Sequence, residues 1–277
     1  MTPSVLISFW QILPGWTQLL AFVTTWLLAW LPIAALIALA LGWRPGQALM
    51  TPYKLSLLAS LYLLIPPLIW GVMQFGSYTL PELGLRWHST FIGAISLGLG
   101  LGVLGLAIVF ALETRLGWVQ WHPEQRSPLL QLLPTILLLA LWISLTEEVL
   151  FRGLFVTLLQ KDAPFGTVTI LTSALFAASH LLWERDQTQS QLAGLWLMGM
   201  VLVLARLAAG GDLSLAIGLH AGWIWGLTCL DEAKIMTYSD RAPVWWVGRG
   251  QQPLAGAAGI FCLWGTALVL VLIGFRV

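Results

Sequence analysis

Charge is the scarcest commodity in this sequence. Of 277 residues, 12 are acidic and 13 are Lys or Arg, 9% in all. A soluble domain carries roughly 25% charged residues, and so few charges cannot cover the water-facing surface of a chain this long. The net charge of +1 supplies no field that would gather nucleic acid, which is not expected as a partner. Cysteine is limited to Cys229 and Cys262, both in apolar runs without metal-ligand spacing, so both read as small buried hydrophobes. Asparagine is absent altogether. What fills the chain instead is apolar: 58% of the residues are hydrophobic and 17 are Trp. Indole rings favour the boundary between lipid and water, so a bilayer is the main solvent and membrane lipids are the expected surroundings.

Apolar runs of roughly 17–25 residues mark helices able to cross a bilayer. Eight are expected, over about 17–43, 55–74, 91–112, 129–159, 166–182, 192–209, 213–230 and 254–274. The connections between them are short, which predicts an all-α fold: a polytopic integral membrane bundle, one transmembrane domain over residues 1–277. The location is a multi-pass position in a membrane, the cytoplasmic membrane in a bacterial cell. Pro32 falls inside the first expected helix and Pro66-Pro67 inside the second.

The third run holds Gly98, Gly100, Gly102 and Gly105, which spell G-x-G-x-x-G. A dinucleotide fingerprint needs a strand before it and a helix start within it. Here the glycines sit in the middle of an apolar stretch, where small residues let two helices approach closely, as in Gly98-x-x-x-Gly102.

Ionisable residues inside a membrane are costly, so each is a functional hypothesis. The segment S-L-T-E-E-V-L-F-R-G places Glu147, Glu148 and Arg152 at the end of the fourth run. Glu148 and Arg152 stand at i, i+4 and can neutralise one another; read blandly, they are a structural ion pair. Glu147 is turned about 100° away on an α-helix and lacks that partner, which suits a carboxylate that exchanges protons. His180 ends the fifth run in F-A-A-S-H, and His220 lies in G-L-H-A-G-W of the seventh. Each alone reads as a hydrogen-bonded packing residue. Of the four histidines, the other two, His88 and His122, sit in polar loops and read as ordinary surface residues. Two carboxylates and two histidines on three helices suit either water activation by a glutamate or a zinc site, although no H-E-x-x-H pattern occurs.

These motifs resemble the CPBP family of intramembrane proteases, which includes the type II CAAX prenyl endopeptidases and bacteriocin-processing relatives. Glu147, Glu148 and Arg152 match its E-E-x-x-x-R; Phe176 and His180 match F-x-x-x-H; His220 matches the first residue of H-x-x-x-N. The resemblance covers about residues 130–228. It implies a bundle of eight helices with a cavity open to the membrane. It implies water activated by Glu147 with His180, an oxyanion stabilised by His220, and no metal or other cofactor. The fourth position of the last motif is Ile224, which cannot donate a hydrogen bond; Trp223, Trp225 and Thr228 carry the nearest alternative donors. The activity so implied is a glutamate-dependent endopeptidase acting on membrane-embedded or membrane-proximal peptide or protein substrates. Three other readings use the same residues: a catalytically weak binding or scaffold protein, a zinc-dependent membrane protease, and a transporter with a proton relay. The last expects inverted repeats, and the prolines of the first two helices have no later counterparts.

Overall fold

The computed structural model describes residues 3–44, 51–182 and 185–274. The helices are α1 (Pro3–Ile12), α2 (Gly15–Ala40), α3 (Thr51–Leu63), α4 (Ile65–Gly76), α5 (Phe91–Arg115), α6 (Arg126–Glu147), α7 (Val156–Leu159), α8 (Phe165–Ser179), α9 (Arg185–Ala208), α10 (Ser214–Glu232), α11 (Val244–Val247) and α12 (Ala257–Gly274). A two-stranded antiparallel ribbon joins β1 (Val119–Trp121) to β2 (Met236–Tyr238). All eight expected helical stretches are present. Among the described residues, seven stretches are long and apolar enough to cross a membrane: Gly15–Ala40, Tyr53–Gly76, Phe91–Arg115, Pro123–Leu159, Phe165–Leu182, Thr188–Ala208 and Ala257–Gly274. The chain is a polytopic helical membrane protein. The eighth expected span corresponds to α10, which is not among the seven. It carries Ser214, His220 and Thr228, ends in Asp231-Glu232, and is buried without a break from Ser214 to Trp223. A helix covered on all sides by protein does not need a lipid-facing stripe.

The described chain groups into two compact units, Met1–Leu83 with Leu154–Val168, and Gly84–Gly153 with Thr169–Val277. In the first, the expected helix over 55–74 is broken at Leu64, with α4 starting at Ile65 and a proline in its first turn. Proline has no N–H to donate and its ring clashes with the preceding turn, so it opens a helix more readily than it continues one. Gln18 is fully buried. Its amide donates to the carbonyls of Trp10 and Leu13 and its Oε1 accepts from Lys161 Nζ at 3.1 Å, so both ends of the side chain are used.

In the second unit α10 packs on α5, α6 and α9. Gly98 and Gly102 of the third run sit at the seam between α5 and α10: a Cβ on Gly102 would lie 2.7 Å from the Leu219 carbonyl oxygen and 3.2 Å from Gly222 Cα. Gly218 meets the backbone of Ile95 in the same way. Only glycine permits this approach, so the seam is the close helix packing expected of Gly98-x-x-x-Gly102. It holds α10, with His220 at its centre, in a fixed register against α5.

Between α6 and α7 the chain is helical but not α-helical. Glu148–Phe155 forms a π-helix, with hydrogen bonds closing over five residues instead of four. Such segments are rare, and they concentrate at functional sites because the wider turn re-aims the side chains it carries. Hydrophobic spacing expects one uninterrupted helix over 129–159, and the extra turn width lies in the E-E-x-x-x-R motif.

Candidate active site

Glu147 ends α6 and Glu148 opens the π segment, so the two adjacent carboxylates leave the helix in different directions. Both are buried, with Glu148 at 0% and Glu147 at 6% exposure. Arg152, at 1%, donates from one guanidinium nitrogen to Glu148 Oε1 at 2.9 Å and from the other to the Gly199 carbonyl of α9 at 3.3 Å. The expected ion pair is therefore formed, in a π turn and not an α turn. The guanidinium also lies over the Phe176 ring, 4.2 Å from its centroid, where the ring's negative face attracts a desolvated cation. Arg206 of α9 donates to the backbone carbonyls of Arg152 and Gly211, holding the end of the motif from outside.

His220 comes from α10 and reaches both acids. Its Nδ1 is 2.8 Å from Glu148 Oε1 and its Nε2 is 3.7 Å from Glu147 Oε2. Oε1 of Glu148 thus receives Arg152 and His220 together. Its second oxygen, Oε2, is buried without a hydrogen-bond partner. Three buried serine hydroxyls in this unit, on Ser144, Ser173 and Ser214, also lack partners. Buried polar atoms are nearly always satisfied, so an orphaned carboxylate oxygen in a charged cluster calls for a reason.

His180 stands where α8 gives way to a single 3-10 turn. Its Nδ1 is 2.9 Å from the Phe176 carbonyl oxygen, which also accepts from Ser179 Oγ at 2.7 Å. A carbonyl can only accept, so Nδ1 carries a proton and donates it there. The Phe176 ring is the hub of the cluster. It meets His180 at 4.8 Å, His220 at 5.8 Å and Phe151 at 5.4 Å between centroids, each edge to face. Glu147, Glu148, Arg152 and His220 thus come together directly, and His180 joins them through Phe176.

Sequence reasoning missed Gly199 and Arg206, which reach the motif from α9. It also missed the imidazole partners. Both Nδ1 atoms have an acceptor, Glu148 for His220 and the Phe176 carbonyl for His180. Histidines bound to zinc normally have such a second partner, so these contacts do not count against a metal. Among the described residues no group of three or more His, Cys, Asp or Glu is arranged to hold a metal ion. Of the donors considered in place of the missing asparagine, Trp225 is engaged, its indole N–H bonded to the Leu133 carbonyl at 2.9 Å; Trp223 is buried. His88 and His122, read as surface residues, are part-exposed and bond to Thr90 and Thr237. Cys229 and Cys262 are free thiols.

Residues 129–226 match the family model of the Rce1-like proteins, described as type II CAAX prenyl endopeptidase Rce1-like. The match spans all three motifs and bears out the resemblance to the CPBP intramembrane proteases. No curated protein and no solved structure matches the chain.

Proposed function

We propose that the protein is an intramembrane endopeptidase in which Glu147 activates a water molecule for attack on a peptide carbonyl. The observation that carries this reading is the relay Arg152–Glu148–His220–Glu147, buried throughout. Arg152 fixes Glu148; Glu148 fixes the ring of His220 through Nδ1; Nε2 of His220 then faces Glu147 Oε2 across 3.7 Å. That gap is too long for a direct bond, but a water at about 2.8 Å from each atom would bridge it. Glu147 takes the water proton as hydroxide adds to the carbonyl carbon, and returns it to the departing amine as the tetrahedral intermediate collapses. The resemblance gives His180 the place beside Glu147 and His220 the oxyanion. The distances favour His220 for the water, which leaves His180 for the carbonyl oxygen, a role that needs an Nε2–H aimed at it.

The substrate class follows from the surroundings: peptide segments within or next to a bilayer, of which a prenylated C-terminus is the case named in the family description. No metal is needed for these steps. Ile224 favours a second reading, a binding or scaffold protein of the same fold, because loss of one oxyanion donor costs on the order of 100- to 1000-fold in rate. The test is cleavage of prenylated and unprenylated membrane-proximal peptides by purified protein, beside its Glu147→Gln variant and with 1,10-phenanthroline. Cleavage that survives the chelator and disappears in the variant supports the glutamate mechanism. Stoichiometric zinc, with activity lost on chelation and restored by the metal, replaces it with a metalloprotease. No cleavage by either protein leaves the scaffold.

A further inference from the structure

The ribbon β1–β2 has one edge in use and one free. His122 N–H donates to the Ile235 carbonyl and Ser239 N–H to the Trp118 carbonyl, both at 2.8 Å. With Gln120 opposite Thr237, these fix the alternation: residues 235, 237 and 239 turn their backbone groups toward β1. Met236 and Tyr238 therefore turn theirs the other way, and these make no hydrogen bond among the described residues. The free edge lies at a half-open cavity, with Met236 and Tyr238 half-buried and Thr237 exposed. Met236, Thr237 and Tyr238 all border a cavity of about 620 Å³. Side chains of a strand alternate between its faces, so three consecutive residues can border one cavity only along an edge. The same cavity is lined by Thr228 and by Gln191 and Gln252, whose amides are bonded to one another at 3.1 Å. Lys234 and Gln251, which also line it, are two of the three non-glycine residues with left-handed backbone among those described.

We propose that this cavity binds an extended peptide as a third strand on β2, and that the peptide is the substrate's membrane-proximal segment. The proposal rests on the protease reading above. Its occupant is a polypeptide because the free donors and acceptors are spaced as a strand, and pairing of this kind recognises backbone while the side pockets select side chains. The cavity and the site share one helix. Thr228 lines it and His220 lies two turns earlier on α10, about 12 Å away at ~1.5 Å per residue. Three to four residues of extended chain, at about 3.3 Å each, cover that distance. A peptide paired with β2 thus delivers a bond a few residues further on to Glu147 and His220.

The experiment is amide-resolved hydrogen exchange on the full-length Glu147→Gln protein in micelles, with a pooled tryptic digest of membrane proteins as the probe. The amides of Met236 and Tyr238 should exchange freely alone and become at least about tenfold slower with the pool; the Thr237 amide, already bonded to β1, should not change. A second arm uses Met236→Pro in the active protein. Proline removes only an outward N–H and is tolerated at a strand edge, so KM for the cleaved peptides should rise about tenfold with kcat little changed. Unchanged exchange at both amides overturns the strand site, whether or not the wild type cuts the pool, as does an unchanged KM in Met236→Pro. Protection without any cleavage by the wild type keeps the strand site and rejects the protease reading.

Discussion

Two buried glutamates in the same unit are treated in opposite ways. Glu113, near the end of α5, is fully buried, and both of its oxygens are satisfied by neutral donors: Oε1 by the Trp246 indole at 3.0 Å and Oε2 by the Tyr238 hydroxyl at 3.2 Å. Glu148 is equally buried but concentrates Arg152 and His220 on one oxygen and leaves the other bare. Glu147 beside it meets His220 only at 3.7 Å. The first arrangement fastens the ribbon and α11 to a helix end. The second holds charges in place without exhausting their bonding capacity, which is what chemistry requires of a carboxylate.

The sharpest separation of the two is kinetic. Glu147→Gln should lower kcat by about 100- to 10,000-fold, the usual worth of a general base, with the thermal midpoint in detergent nearly unchanged. Glu113→Gln should leave kcat within a few-fold of wild type; a loss at Glu113 as large as that at Glu147 would erase the distinction. Arg152→Ala comes next and should destabilise by roughly 3–5 kcal/mol, because it strands a buried carboxylate. Equal stability of that variant in a denaturant series would remove the ion pair from the account. Glu113→Ala, which leaves the Tyr238 hydroxyl and Trp246 N–H without an acceptor, should cost about 1–3 kcal/mol.

The smallest effect belongs to Tyr238→Phe, about 0.5–1.5 kcal/mol for one hydrogen bond. It carries a pH signature. Burial, and then the neighbouring Glu113, push the Tyr238 hydroxyl above the ordinary tyrosine range. A group whose pKa is raised on folding gives stability that is complete below its unfolded pKa, about 10, and is lost as pH climbs toward the folded value. The midpoint of the wild type should therefore fall above about pH 10 more steeply than that of Tyr238→Phe. Parallel curves would mean that Tyr238 titrates as if exposed.

The sequence made part of this legible. The Glu148–Arg152 contact follows from a spacing of four, and the α5–α10 seam from glycines four apart in an apolar run. Both are local patterns that survive without knowledge of the tertiary structure. The π segment was not legible, because hydrophobic spacing says which residues are buried and not whether the ladder closes over four residues or five. The break before Pro66 was offered by the sequence and read through. The Glu113–Tyr238–Trp246 clamp joins positions too far apart in the chain for any pattern to link them, and a ribbon of three residues per strand is shorter than strand periodicity can register. The cost of burying each ionisable group alone leads one to expect Glu147, Glu148, His180 and His220 around one internal cavity; His220 meets both acids, His180 reaches them only through Phe176, and which nitrogen faces which oxygen required coordinates.

The position of Arg152 also bears on how the protein is made. Its partner Glu148 is four residues away on the same helical stretch, so the pair can close while that stretch is entering the bilayer, before any later helix exists. A lone arginine in mid-membrane costs a few kcal/mol at the point of insertion; paired in cis, it arrives already neutralised. His220 lies 72 residues further on and is synthesised only after α8 and α9. The cluster is thus assembled in two instalments. The first makes the segment insertable, and the second, when α10 docks, turns an insertion aid into a working site.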